Sequence, residues 1–115
     1  MFPGELNQVF LNILNNAIDA TKAGGKIIVQ TKQNLETCKI TISDTGIGIP
    51  EEIQNRIFEP FFTTKDIGKG KGLGLSTVHT IIKEHHGTIE VESQIDKGTT
   101  FTIVIPVIHS NNKNN

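Results

Sequence analysis

Several residue types are absent or scarce in this chain, and each absence excludes a class of protein. The sequence has no tryptophan and no tyrosine, so phenylalanine alone remains of the side chains that commonly stack on nucleic-acid bases. The formal net charge is -1, which lacks the positive excess that the phosphate backbone attracts. We therefore expect no nucleic-acid partner.

Cysteine and long apolar runs are also scarce. The single cysteine, Cys38, excludes an internal disulfide and suits a reducing compartment. No apolar run approaches the ~20 residues that a membrane-spanning helix needs, and no signal peptide is visible. We expect a cytoplasmic chain with no membrane contact of its own, whose parent protein is free to carry a membrane anchor elsewhere.

Hydrophobic periodicity divides the chain into short elements. Leu6, Val9 and Ile13 recur at helical spacing, and the glycine pair at 24–25 ends that helix. Alternating residues predict four strands in two hairpin-linked pairs. The predicted helices cover about 5–22, 51–58 and 75–85, the strands 26–33, 37–43, 88–94 and 99–107, and a mobile loop 63–72.

This order of elements predicts an α+β fold. Hairpin-linked strands do not form the alternating pattern of a doubly wound protein, and they favour helices packed on one face of a sheet. We predict a two-layer α/β sandwich with a mixed, mostly antiparallel sheet. One domain is expected over residues 1–108, and the polar residues 109–115 are expected to form a disordered tail.

The first helix carries two asparagines on one flank. At about 100° per residue, Asn12 and Asn16 lie ~40° apart beside the apolar stripe, whereas Asn15 falls roughly opposite it. A neutral carboxamide oxygen suits Mg²⁺ that already carries phosphates and waters. Asparagine also serves simply to solvate a helix surface, and the pair by itself favours that simpler interpretation.

Asp44 ends a predicted strand and is followed by two glycines, Gly46 and Gly48. A carboxylate at a strand end can accept a hydrogen bond from an amino group, and glycine lets the backbone come close to a ligand. The segment also has the composition of an ordinary Asp-Thr-Gly turn, so alone it is a weak signal.

A second glycine cluster, at positions 70, 72 and 74, leads into the helix that begins at Leu75. Free N–H groups at a helix N-terminus bind phosphate, and Lys65, Lys69 and Lys71 add positive charge to the same segment. Neither a P-loop nor a dinucleotide-binding fingerprint is present. In isolation, a flexible solvated loop explains this segment better.

In this order and spacing, the segments resemble the catalytic ATP-binding domain of sensor histidine kinases, from about residue 5 to 106. That family shares the Bergerat (GHKL) ATP-binding fold with the DNA gyrase ATPase subunit, a heat-shock chaperone ATPase and the MutL mismatch-repair ATPase. The matching boxes are 12–17 (N box), 44–50 (G1 box), 56–65 (F box) and 70–76 (G2 box), followed by 86–89 and 98–101. The Phe-Phe-Thr-Thr-Lys run with a short lid resembles the nitrogen-regulator-like subgroup.

The resemblance implies an ATP site with Mg²⁺ as cofactor. Asn16 would be the metal ligand and would act in catalysis together with Asn12, while Asp44 would read the adenine. Phe58, with Phe61 and Phe62, would anchor a lid over residues 63–71. The implied nucleotide-binding residues are Asn16, Asp44, Gly46, Gly48, Ile49, Arg56, Lys65, Gly70, Lys71, Gly72, Leu73, Gly74, Leu75 and Thr100.

The resemblance also implies a reaction and its partners. The γ-phosphoryl group of ATP would pass to a histidine on a separate dimerisation and phosphotransfer domain of the parent kinase, with a response-regulator receiver domain next in two-component signalling. In the hydrolysing relatives a glutamate that acts as general base stands at the position of Asn12. A carboxamide cannot take a proton, which favours transfer to protein over transfer to water, and Glu5 is disfavoured as a substitute base. The alternatives are an ATP-hydrolysing member of the group and an ATP-dependent interaction module without catalysis.

The sequence departs from the family pattern in three respects. None of His79, His85, His86 and His109 has the context of the phosphoacceptor histidine. Asp19 stands where many relatives carry a lysine that reaches phosphate. The family's domain usually has a strand and a helix before the N box, so we expect an N-terminally truncated domain that is prone to exchanging strands between two copies.

Overall fold

The computed structural model describes residues 4–21, 23–59 and 74–107. The elements in chain order are α1 (Gly4–Ala20), β1 (Ile27–Gln33), β2 (Thr37–Asp44), α2 (Glu51–Gln54), α3 (Leu75–Glu84), β3 (Thr88–Gln94) and β4 (Gly98–Pro106). Each predicted helix and strand is present. The mobile loop predicted over 63–72 and the tail over 109–115 lie outside the described residues, as do Phe61 and Phe62.

The second helix is shorter than predicted. It ends at Gln54, and the chain continues through hydrogen-bonded turns in which Arg56 N–H donates to the Ile53 carbonyl at 2.8 Å. These turns direct Ile57, which is 6% exposed, into the core. The prediction of a continuous helix to residue 58 is therefore wrong, because the burial of Ile57 determines the path of the backbone.

The four strands form one sheet in the order β1-β2-β4-β3. Every neighbouring pair is antiparallel, so the part of the chain that the structure describes holds no parallel pair of the kind that a mixed sheet would require. The α+β architecture is confirmed. No helix within 4–21, 23–59 and 74–107 is long and apolar enough to cross a membrane.

One face of the sheet and the helices α1 and α3 enclose the core. Residues at alternate positions of β2 and β4 face inward, as the period of two along a strand requires. The apolar stripe predicted on α1 is buried, with Val9 and Ile13 at 0% exposure. The largest fully buried side chains are Leu6, Val9, Ile13, Ile42, Val78, Ile82 and Ile103.

The inward face of the sheet ends in a polar row. The strand register aligns Ser93 of β3 with Thr99 of β4, and Thr99 with Asp44 of β2. The adjacent row, toward the middle of the sheet, is apolar and contains Phe101 and Ile42. The polar row therefore marks the boundary at which the packed core gives way to a site.

Strand β1 lies at the sheet edge and is exposed over most of its length. Ile28 and Val29, whose side chains point to opposite faces, are each 51% exposed. Among the described residues, helix α1 packs mainly against β2 and α3, and the inward-facing Val29 of β1 stays half exposed. This edge presents backbone groups that can pair with a further strand.

Candidate functional site

Asp44 is the charged side chain that the fold buries in the polar row. It is 9% exposed, and its Oδ1 atom accepts a hydrogen bond of 2.8 Å from Gly46 N–H. No described residue donates to its second oxygen. A buried acceptor without a donor is costly, so this carboxylate is suited to accept a hydrogen bond from a ligand.

The loop after Asp44 is held tightly by its two glycines. A Cβ atom at Gly46 would lie 2.3 Å from the Ala20 carbonyl oxygen, and one at Gly48 would lie 2.1 Å from that of Gln94. Gly48 also has a φ of +77°, which favours glycine. The close approach that these glycines allow is thus to the protein's own backbone, at the end of α1 and in the β3–β4 hairpin.

Backbone hydrogen bonds fix the same loop on both sides. Ile47 N–H donates to the Ala20 carbonyl at 3.1 Å, and Asp96 N–H donates to the Ile47 carbonyl at 2.9 Å. The loop is therefore clamped between the C-terminal end of α1 and the tip of the hairpin. Two segments that are far apart in the sequence meet at the carboxylate.

Two side chains outside the sequence motifs, Ser93 and Gln54, complete this clamp. Ile49 N–H donates to Ser93 Oγ at 2.7 Å. The side-chain amide of Gln54 donates to the carbonyl of Ile49 at 2.8 Å and to that of Ser93 at 3.1 Å. Only the sheet register could have identified Ser93, because it is the register that places this residue in line with Asp44.

The asparagines of α1 lie as predicted relative to the core. Asn12 is 8% exposed, Asn16 is half-buried and Asn15 is exposed. Asn16 precedes Ala20 by one helical turn, roughly 6 Å along the axis. Since the Ala20 carbonyl binds the loop after Asp44, Asn16 lies about one helical turn from that contact.

The N-terminus of α3 is a second candidate contact for a ligand. Gly74 is its N-cap residue in an extended conformation, and no described side chain caps the helix. Leu75 is half-buried against the core. The uncapped N–H groups and the positive end of the helix dipole favour an anion here. The predicted residues Lys65, Gly70, Lys71, Gly72 and Leu73 lie outside the described part of the chain.

Two predicted site residues are not part of the polar row. Arg56 is exposed and pairs with Glu59, with Nε and Oε1 3.4 Å apart. Thr100 lies on the outer face of the sheet, where its hydroxyl is 3.0 Å from Ser43 Oγ. The threonine beside Asp44 on the inner face is Thr99, which is 5% exposed.

An open cleft adjoins the polar row. Its volume is about 560 Å³, and its lining includes Asp44, Thr99 and Gln54, together with Lys97 at the hairpin tip and Thr100. The cleft brings the buried carboxylate to the surface of the molecule. Its lining is mostly polar and comes mainly from β2, β3, β4 and the hairpin, which suits a polar small molecule.

The chain belongs to the family of histidine kinase-, DNA gyrase B- and HSP90-like ATPases, whose model matches residues 3–109. Sporulation kinase E of Bacillus subtilis is 47% identical over 106 residues, covering 91% of this chain and 14% of that protein. The sensor histidine kinase ZraS of Escherichia coli is 46% identical over 105 residues, covering 91% of this chain and 22% of that protein. The chain thus spans less than a quarter of either relative.

Solved structures agree with this assignment. The nucleotide-free catalytic domain of the histidine kinase ThkA superposes with a TM-score of 0.77 at 39% identity, covering 89% of this chain and 66% of that one. The mycobacterial sensor histidine kinase MprB gives a TM-score of 0.77 at 30% identity, covering 89% of this chain and 72% of that one. The prediction of a catalytic ATP-binding domain of the histidine-kinase type is confirmed.

Proposed function

We propose that this chain binds Mg·ATP and is the catalytic domain of a kinase that transfers the γ-phosphoryl group to a histidine on a separate dimerisation and phosphotransfer domain. The observation that carries the proposal is the buried carboxylate of Asp44. One of its oxygens is held by Gly46, and the other has no donor among the described residues. An exocyclic amine of adenine is a donor that fits this acceptor.

The clamped loop forms the rest of the base site in this proposal. Gly46, Gly48 and Ile49 shape one wall, and their positions are set by the hydrogen bonds to α1 and to the hairpin. Thr99 takes the place that the resemblance gave to Thr100, because Thr99 shares the inner face with Asp44. Such a preformed wall lowers the ordering cost of binding.

The phosphates would lie toward the N-terminus of α3. Gly74 and Leu75 form the helix end there, which no described side chain caps. The resemblance adds Lys65, Gly70, Lys71, Gly72, Leu73 and, from the F box, Arg56. Asn16 would hold Mg²⁺ through its carboxamide oxygen, a hard neutral ligand that suits a metal shared with phosphate oxygens. When bound, the ion neutralises charge on the phosphates.

In this proposal, Asn12 determines whether the γ-phosphoryl group passes to a protein or to water. Its carboxamide cannot remove a proton from water, so the site lacks a general base at this position. Glu5 is exposed and lies roughly 10 Å from Asn12 along the helix axis. Without activation of water, the work of the site is to position and neutralise the phosphates for an imidazole that needs no strong base.

The partners follow from the same proposal. The acceptor is a phosphotransfer domain of the parent kinase, which would pass the phosphoryl group to a receiver domain in the cytoplasm.

We also assign the parent kinase to the nitrogen-regulator-like subgroup, on the basis of the Phe-Phe-Thr-Thr-Lys run at 61–65. A strand-exchanged dimer of this chain is supported by the exposed edge strand β1, and the mass of the chain in solution tests it.

Calorimetric titration of ATP with and without Mg²⁺ tests the nucleotide site. Asn16→Ala should weaken the Mg²⁺-dependent part of binding. Asn15→Ala, the same substitution one position earlier on the exposed side of α1, should leave it unchanged. Failure of the folded chain to bind ATP would overturn the proposal and favour a module that works without nucleotide.

Phosphoryl transfer needs a second assay. The chain is mixed with γ-labelled ATP and a phosphotransfer domain from one of the histidine kinases it resembles, and acid-labile label on that domain is measured. Transfer to the domain supports the kinase. Steady phosphate release without labelled protein, lost on substitution of Glu5, would instead support the ATP-hydrolysing alternative.

A further inference from the structure

The hydroxyl of Ser93 stands at the centre of a hydrogen-bonded junction behind Asp44. Its Oγ atom accepts from Ile49 N–H at 2.7 Å, lies 2.7 Å from Thr99 Oγ1 and lies 3.0 Å from the Gly98 carbonyl oxygen. A serine hydroxyl has one proton to donate and two lone pairs to accept with. Three contacts therefore use its full capacity.

The proton count orients the neighbouring hydroxyl. The Gly98 carbonyl can only accept, so it takes the single proton of Ser93. Thr99 then donates its own proton to Ser93 Oγ, which satisfies all three contacts. Consistent with this, no described hydrogen bond joins Thr99 to Asp44, although the two residues are direct partners across β4 and β2.

As a result, Thr99 Oγ1 and the second carboxylate oxygen of Asp44 both face the cleft as acceptors. Thr99 retains only its lone pairs, and the second oxygen of Asp44, in the same row, has no donor among the described residues. A donor with two N–H bonds satisfies both. A carbonyl at the same place satisfies neither and is repelled by the carboxylate.

We propose that Ser93 is a positioning residue for base selection: by taking the proton of Thr99 it presents two acceptors, Asp44 and Thr99, and so selects a 6-amino purine over a 6-oxo purine. This inference rests on the proposed function, since it assumes that the base lies at Asp44. It adds Ser93, which also lines the cleft, as a residue that acts on the base through Thr99.

The test compares the affinities of the chain for ATP and for ITP, which carries a carbonyl in place of the amino group. In Ser93→Ala the Thr99 proton is released and can donate to Asp44 or to a carbonyl. The ratio of ITP to ATP dissociation constants should fall by about three- to tenfold, the usual range for one neutral hydrogen bond. Loosening of the loop at Ile49 weakens both nucleotides alike and cancels from the ratio.

Matched variants separate this role from a structural one. Ser93→Thr keeps the hydroxyl and should keep the ratio. Ser43→Ala breaks the equivalent serine–threonine pair on the outer face of the sheet and should not change it. In a Thr99→Val background, Ser93→Ala should have no further effect on the ratio, since a residue acting through Thr99 is silent once that hydroxyl is gone.

The outcomes are distinct. A fall in the ratio in Ser93→Ala that Ser93→Thr and Ser43→Ala do not share supports the inference. An unchanged ratio, or an equal fall in Ser43→Ala, overturns it even if ATP still binds. Should Ser93→Ala fail to fold, Ser93→Cys replaces it, because a thiol is only a weak acceptor for the Thr99 proton and must also lower the ratio. A wild-type chain that binds neither nucleotide overturns the proposed function itself.

Discussion

Substituting Gly48 by alanine tests whether the loop after Asp44 is fixed by contact with the hairpin. Gly48 has a φ of +77°, and a Cβ atom there would lie 2.1 Å from the Gln94 carbonyl oxygen. Gly24 provides a matched control. It has a φ of +87°, and no described residue lies within 4 Å of its Cβ position.

Alanine at either glycine position incurs the free-energy cost of a left-handed backbone, but only alanine at position 48 also meets the hairpin backbone. Left-handed backbone costs an alanine about 1–2 kcal/mol, partly offset by about 0.4–1 kcal/mol through the loss of unfolded-state freedom. Gly24→Ala should therefore cost about 1 kcal/mol. Gly48→Ala must also push the hairpin backbone away, which adds about 1–3 kcal/mol, the range for inserting a methyl group into a packed site.

Urea unfolding measures both costs. Because the chain has no tryptophan or tyrosine, the transition is followed by far-ultraviolet circular dichroism. Gly48→Ala should lower the free energy of unfolding by about 1–3 kcal/mol more than Gly24→Ala, and it should also weaken ATP binding, which Gly24→Ala should spare. Equal losses of stability in the two variants would refute the argument that backbone contact, and not dihedral strain alone, requires glycine at position 48.

Three further predictions concern stability and are checked by the same unfolding measurement. Gln54→Ala removes a side-chain amide that donates to two backbone carbonyls and should cost about 1–3 kcal/mol. Ile103→Ala empties a fully buried site and should cost about 2–5 kcal/mol, whereas Leu35→Ala, at a site 81% exposed, should stay within about 0.5 kcal/mol; comparable losses would contradict the assigned core. A double-mutant cycle between Arg56 and Glu59 should give a coupling below about 1 kcal/mol, since their side chains are 58% and 53% exposed, and a larger coupling would show a buried pair.

Local pattern was sufficient to predict the elements of the fold. Alternation along residues 37–43 predicts a half-buried strand, and β2 has that pattern of burial. The flank position of Asn12 and Asn16 relative to Asn15 also follows from helical geometry alone, and the burial of the three residues agrees. These properties depend on residues within one or two turns of each other.

Local pattern was insufficient where a distant contact decides the outcome. The second helix stops at Gln54 because Ile57 must reach the core. Thr99 and Thr100 are adjacent and identical in type, yet only Thr99 shares a face with Asp44. A shift of one residue in strand register moves a side chain to the opposite face, so composition could not distinguish the two.

By itself, the sequence determined the family, the α+β class and the residue types that a nucleotide site requires, because hydrophobic period and glycine spacing are local properties of the chain. The tertiary structure decided which of those residues meet. It aligned Ser93, Thr99 and Asp44 in one row, clamped the loop after Asp44 between α1 and the hairpin, and placed Thr100 on the opposite face. The physical reason is that strand register and backbone contact join segments far apart in sequence, and they are settled only when the whole sheet packs against its helices.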